Sequence, residues 1–309
     1  MNVFATCRSI PRLAVTLLCA AFLTISLTGC GSGGNVGETS GPSFTPSFAT
    51  SAYHADKALA QNGCTIDTSD AQKGYVSATG SGSSRLKLLV TCGNMSYNYD
   101  MKTDGDPTIA PLNMGDGTYT VSVMRNTSGS NYVALASTTI SVTLNDQFQP
   151  FIRPSQICNY RQDSDCVKKA SELVANAENQ GDAVAAIYEY ITSSISYDKA
   201  KATELSSVTG YLSDPDETLN DGKGICIDYA VLAASMLRSQ GIPCKIVTGN
   251  LQPAGIYHAW NLVYIDGTWH AAAFTVESGT WARIDTTLDA AGDYTSKDKD
   301  LTYEDRYTY

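Results

Sequence analysis

Three side chains in the 309-residue sequence stand where acyl-transfer chemistry could be done. Cys226 lies between a Gly-Lys-Gly turn and the first turn of an apolar helix, in "GKGICIDYAVLAASMLRSQGIP" from Gly222 to Pro243. A cysteine inside a core is inert, but unpaired N–H groups and the macrodipole at a helix N-terminus favour an anion there, so a thiolate is stabilised. A thiol nucleophile also needs a base within hydrogen-bond reach and a third group to hold that base. His258, 32 residues further on, and Asp285, 27 residues beyond it, supply those parts in the order Cys, His, Asp. Two other histidines compete for the role of base. His54 precedes an all-β stretch and His270 falls in "TWHAAAF". By alternation alone, His258 and His270 each read equally well as an ordinary half-buried strand residue.

The elements that must position these groups are legible in the pattern. Ile227, Ala230, Val231, Ala233, Ala234, Met236 and Leu237 wrap most of a helix circumference, which predicts a helix buried on several sides. Gly241 stands where a left-handed C′ residue belongs, and Pro243 blocks continuation. Upstream, "DCVKKASELVANAEN" and "DAVAAIYEYITSSIS" carry apolar residues at spacings of three and four and read as helices, joined to the cysteine by a polar loop from Tyr197 to Lys223. Downstream the period becomes two. Residues 256–289, with turns at Asp266-Gly267 and Ser278-Gly279, read as three antiparallel strands that place His258, Trp260, Leu262 and Tyr264 on one face and Asp285 on the last strand. The tail from Gly292 is polar and tyrosine-rich and reads as loop or peripheral structure.

The rest of the chain sets organisation and compartment. Arg8 and Arg12, the apolar run Leu13 to Leu27 and a small-residue cleavage site form an export signal over 1–29, too short to span a bilayer comfortably. "LTGC", Leu27 to Cys30, resembles the lipobox of bacterial lipoproteins, which implies cleavage before Cys30 and a lipid on its thiol. Residues 30–50 read as the lipidated cysteine and a Gly/Ser/Pro tether, 51–150 as an all-β sandwich-like module of short alternating runs, and 151–309 as the domain that carries the three side chains. Removing 1–29 leaves 19 Lys and Arg against 31 Asp and Glu, a net charge of −12. That balance argues against nucleic acid as a partner.

Six cysteines follow the lipidation position, and in an oxidising compartment they suggest disulfides. Cys64, Cys92, Cys158 and Cys166 are the candidates, nearest neighbours pairing along the chain, although four cysteines allow three connectivities. Cys244 opens the β-branched run "KIVTG" and reads as a buried hydrophobe.

Together, "GKGICIDYAVLAASMLRSQGIPCKIVTG", "YHAWNLVYIDGTW" and "GTWARIDTTLD" resemble the transglutaminase-like domains. In that family a G-x-C helix, an H-A-W strand and a W-x-x-x-D-x-T strand carry Cys, His and Asp. "AIYEYITSSISYD" is similar to the helix before the catalytic loop in bacterial members, so the resemblance covers about Cys166 to Asp289. It implies an α+β, papain-like fold of helices packed on an antiparallel sheet. Cys226 would be the nucleophile, His258 the general base and then acid, and Asp285 the residue that orients it. Attack on a carboxamide yields a thioester acyl-enzyme through an oxyanion that the Cys226 N–H could hold. Asn220 and Tyr211 are candidates for a second donor, and Trp260 for a wall of the acyl site or a plain core aromatic. Asp228 reads as a first-turn acid or local acceptor.

No cofactor is expected: the animal members of the family that cross-link are calcium-dependent, but a full calcium-loop motif is absent here. Asp104-Gly-Asp106 and Asp214-Pro-Asp216 read as turns. Water as acceptor gives a peptidase or amidase acting on surface proteins or cell-wall peptide, a lysine amine gives cross-linking, and a domain without turnover gives a surface peptide-binding module.

Overall fold

Alternating runs between Leu59 and Val142 form two four-stranded antiparallel sheets, because every second side chain is apolar and each sheet must bury one face. One sheet orders Leu59–Gln61, Cys64–Asp67, Tyr75–Gly80 and Thr108–Pro111. The other orders Met95–Met101, Leu86–Cys92, Gly117–Ser128 and Asn131–Val142. Ile66, Ala78, Leu88, Val90, Tyr99, Tyr119, Val121 and Val123 fill the space between them. In this computed structural model the described residues are 39–309, apart from 254, 267, 271–274, 277 and 292–300, and all fall within one unit, Val36–Tyr309. The export signal and Cys30 lie outside the described residues. Among the described residues no helix is long and apolar enough to cross a membrane.

A second core forms around the helix Cys226–Ser239, in which every residue from Asp228 to Ser239 is buried. Each of its large apolar side chains contributes about 1.5–3 kcal/mol on burial, which fixes the helix along its length. The helices Asp165–Leu173 and Gln180–Ser194 pack against it, the second started by a reciprocal cap between Asn179 and Asp182. Beneath lies an antiparallel sheet ordered Trp281–Ile284, Ile256–Tyr264, Cys244–Gln252 and Thr302–Thr308. Asn261 clips helix to sheet: it is fully buried, and its Nδ2 donates to Ala230 O at 2.9 Å and Lys245 O at 3.2 Å. Arg238, also fully buried, donates to the main-chain oxygens of Cys244, Arg153 and Tyr309 and so ties the helix to three other segments.

Several expectations are corrected. The stretch from residue 39 to 50 is no free tether, because Thr39–Ser40 pairs with Thr268–His270, Phe44 N–H donates to Glu178 O, and Phe44 and Phe48 pack on the second core. Two aromatic rings supply apolar surface that a Gly/Ser/Pro count overlooks. The loop from Tyr197 to Lys223 contains two short helices, Lys199–Glu204 and Pro215–Asp221, capped by Asp198 and Asp214. Of the three strands expected in 256–289, the outer two pair directly, and the middle one leaves for a separate sheet with Thr39–Ser40 and Thr275–Val276. The Asp266-Gly267 turn falls partly outside the described residues. The tail is not peripheral: Thr302–Thr308 is an edge strand of the main sheet.

None of the suggested disulfides forms, and all six described cysteines are free. Cys64 and Cys92 belong to different sheets of the sandwich, Cys158 Sγ sits 3.4 Å from Ser235 Oγ, and the Cys166 thiol faces Asp216. Burial pushes the Cys158, Cys166 and Cys244 thiols up, so these sulfurs stay protonated.

Candidate active site

Cys226 is the first residue of its helix, partly buried, where the first N–H groups have no intrahelical acceptor. What holds this end is Asp228, whose fully buried carboxylate accepts from the Ile225 N–H at 2.9 Å, the Lys201 ammonium at 2.9 Å and the Tyr211 hydroxyl at 2.7 Å. Burial by itself would lower Lys201, but its bonds to Tyr211 and Asp228 hold it well above the usual lysine range, so the carboxylate is neutralised where it lies. Gly224 makes this fold-back possible: a Cβ there would sit 2.6 Å from Asp228 Cβ. The short strand Ser196–Tyr197 runs parallel to Lys223–Gly224 and brings Tyr197 beside the thiol.

His258 enters from the third residue of the strand Ile256–Tyr264, with 6% of its surface exposed. Its Nε2 meets Asp285 Oδ2 at 2.8 Å, and the Cys226 side chain lies close enough to act on the ring. Burial alone would depress this imidazole. The hydrogen bonds to Asp285 and Cys226, with their negative charge, outweigh burial and raise it to about 10. These forces favour the protonated ring at neutral pH, held against the Asp285 carboxylate.

Asp285 lies one residue past the strand Trp281–Ile284, not on it, and caps the helix Thr286–Ala291: its Oδ1 accepts the Leu288 N–H at 3.1 Å. It is 1% exposed and its Oδ2 has a second donor, the Tyr303 hydroxyl at 2.8 Å. Cys226, His258 and Asp285 thus come together as their order in the sequence suggested.

The other sequence candidates are placed differently. Asn220 is exposed and turns its amide toward Asp165, 3.5 Å away, while Tyr211 gives its hydroxyl to Asp228, so neither is an oxyanion donor. Trp260, 1% exposed, stacks behind His258 with ring centroids 6.2 Å apart, and it backs the imidazole without offering surface to a substrate. His54 bonds Asp67 in the sandwich module. His270 is in the separate small sheet, and its side chain lies outside the described residues.

Sequence reasoning missed Lys201, Tyr303 and Asn261. Asn261 lay inside the quoted strand, but alternation puts it on the face opposite His258. Nothing in the local pattern around Lys201 or Tyr303 distinguishes them from their neighbours.

The sequence model described as the transglutaminase-like superfamily matches residues 167–285. A 119-residue stretch is 33% identical to the human protein named kyphoscoliosis peptidase, covering 35% of this chain and 18% of that one. A 127-residue stretch is 32% identical to the mouse protein of the same name, covering 38% of this chain and 18% of that one. The chain spans less than a fifth of the length of these two relatives. Among solved structures, red sea bream transglutaminase superposes with a TM-score of 0.31 at 14% identity, over 71% of this chain and 48% of that one.

Proposed function

With a transglutaminase-like domain over residues 167–285, we propose that this chain is a cysteine enzyme that cleaves amide or peptide bonds through a thioester acyl-enzyme. The observation that carries this reading is the Cys226, His258, Asp285 relay, in which a sulfur at a helix start meets an imidazolium held by a buried carboxylate. The Cys226 sulfur attacks the carbonyl carbon and the oxyanion collects on the Cys226 N–H. His258 then gives its proton to the leaving amine, the C–N bond breaks, and the acyl group stays on sulfur. Water, deprotonated by the now neutral His258, releases the acid and restores the thiolate.

Hydrolysis is favoured over transfer to an amine because Cys226 is partly exposed and Tyr197 beside it is 41% exposed. Transfer to an amine needs water kept from the thioester. The curated relatives carrying the name peptidase support the same direction. Incubation with casein and a dansylated amine separates the outcomes: fragments or deamidated casein are expected. Dansylated casein as the main product would reverse the choice, and no change of any kind would favour a binding role.

The proposed setting is the outer side of a bacterial membrane, with a lipid on Cys30 and surface proteins or cell-wall peptide as substrates; the order of charge, apolar run and L-T-G-C supports it. Intact mass of the membrane-associated protein should correspond to cleavage before Cys30 plus diacylglycerol. A soluble mature chain without lipid would remove this part of the proposal.

A further inference from the structure

The geometry points to Tyr303 as a positioning residue for Asp285, an inference that rests on the amide-cleaving reading of the site. The Tyr303 hydroxyl donates to Asp285 Oδ2 at 2.8 Å, the same oxygen that His258 Nε2 meets at 2.8 Å. With the Leu288 N–H on Oδ1, the carboxylate is fixed from both ends and cannot turn its oxygen away from the imidazole. The tyrosine is itself immobilised. Its ring meets Trp260 edge-on, with centroids 4.9 Å apart, and the Arg283 guanidinium lies 3.8 Å from its ring centroid. Burial, and then the Asp285 charge, hold the phenol well above its ordinary range, so it remains a donor at any working pH.

The strand that brings Tyr303 there lies wholly beyond the matched segment, which ends at residue 285. Tyr303 pairs with Leu251 in register, and Gly249 allows the strand to approach: a Cβ at Gly249 would stand 1.9 Å from Glu304 O. At its other end the sandwich module grips the same strand. The Thr308 N–H donates to the Tyr97 hydroxyl at 3.1 Å, Asn113 Nδ2 donates to Thr308 O, and the Tyr97 ring packs against Tyr307 and Tyr309 at 5.6 and 5.4 Å. The β module therefore braces the strand whose first turn-in side chain aligns the carboxylate.

Tyr303→Phe in the full chain removes the hydroxyl and keeps the ring between Trp260 and Arg283. Iodoacetamide alkylation of Cys226 near pH 7 is expected to slow about tenfold, and the unfolding midpoint to move by no more than about 2 °C. With casein, kcat should fall about tenfold while KM stays within about twofold. Tyr303→Leu, which also removes the ring, should slow alkylation at least as much and lower the midpoint further. Alkylation slowed by Leu but not by Phe would make Tyr303 a packing residue only and overturn the inference. Because alkylation needs no acyl substrate, a wild type that alkylates rapidly yet leaves casein untouched would defeat the hydrolytic reading while this test still decides the role of Tyr303.

Discussion

Cys226→Ala is expected to remove acyl transfer altogether, with turnover falling by at least about 10⁴-fold and no acyl adduct visible by intact mass after incubation with casein. The size of the effect follows from the absence of a substitute among the described residues. The Cys158, Cys166 and Cys244 sulfurs are buried and held protonated, and Cys64 is pushed the same way by burial in the sandwich. Among the described cysteines only Cys226 combines partial exposure, a helix start and an imidazole partner. In the wild type, iodoacetamide near pH 6 should label Cys226 much faster than a denatured-state thiol. A Cys226→Ala protein that keeps more than about a hundredth of the activity would show that the nucleophile lies elsewhere.

Asp285→Asn should lower kcat by about 10²- to 10⁴-fold and also move the pH profile, and the direction of that movement is set by the forces on His258. Burial pulls the imidazolium down, whereas the bonds and charge of Asp285 and Cys226 hold it up at about 10. Replacing the carboxylate with an amide removes the Asp285 contribution and leaves burial in place, so the proton is lost at lower pH. The alkaline limb of kcat/KM should therefore descend about one to three pH units earlier in the variant. The fold should survive, since asparagine Oδ1 can still accept the Leu288 N–H at the helix cap while its Nδ2 donates to the Tyr303 hydroxyl oxygen. Alkylation of Cys226 followed from about pH 5 to 11 gives the same limb without a substrate. A limb and a rate that both match the wild type would remove Asp285 from the relay.

The local grammar of the chain carried much of this. Gly-Lys-Gly before Cys226, the all-round apolar helix and the Gly241-Ile-Pro243 stop specify a buried helix with a thiol at its start, because propensity, capping and period agree over those residues. Period-two stretches gave the sandwich and the histidine strand for the same reason. Asp228 was also readable as a local acceptor, since a carboxylate in the first turn reaches back to the N-cap N–H. What the pattern misjudged involved partners remote in sequence. Nearness along the chain makes Tyr211 and Asn220 candidate oxyanion donors, yet one is taken by a carboxylate 17 residues away and the other faces Asp165, 55 residues away. Proximity along the chain likewise suggested disulfides that the sheets hold apart.

By itself, then, the sequence determined the chemistry available and its carriers: a thiol at a helix start, a strand histidine and a downstream aspartate in order. It could do so because residue type, period and capping act over a few neighbouring positions. Only the tertiary structure decided which groups hold the carboxylate and which oxygens remain free. Those outcomes depend on hydrogen bonds such as Tyr303 to Asp285 and Lys201 to Asp228, formed between segments whose own patterns carry no mark of the partner they meet.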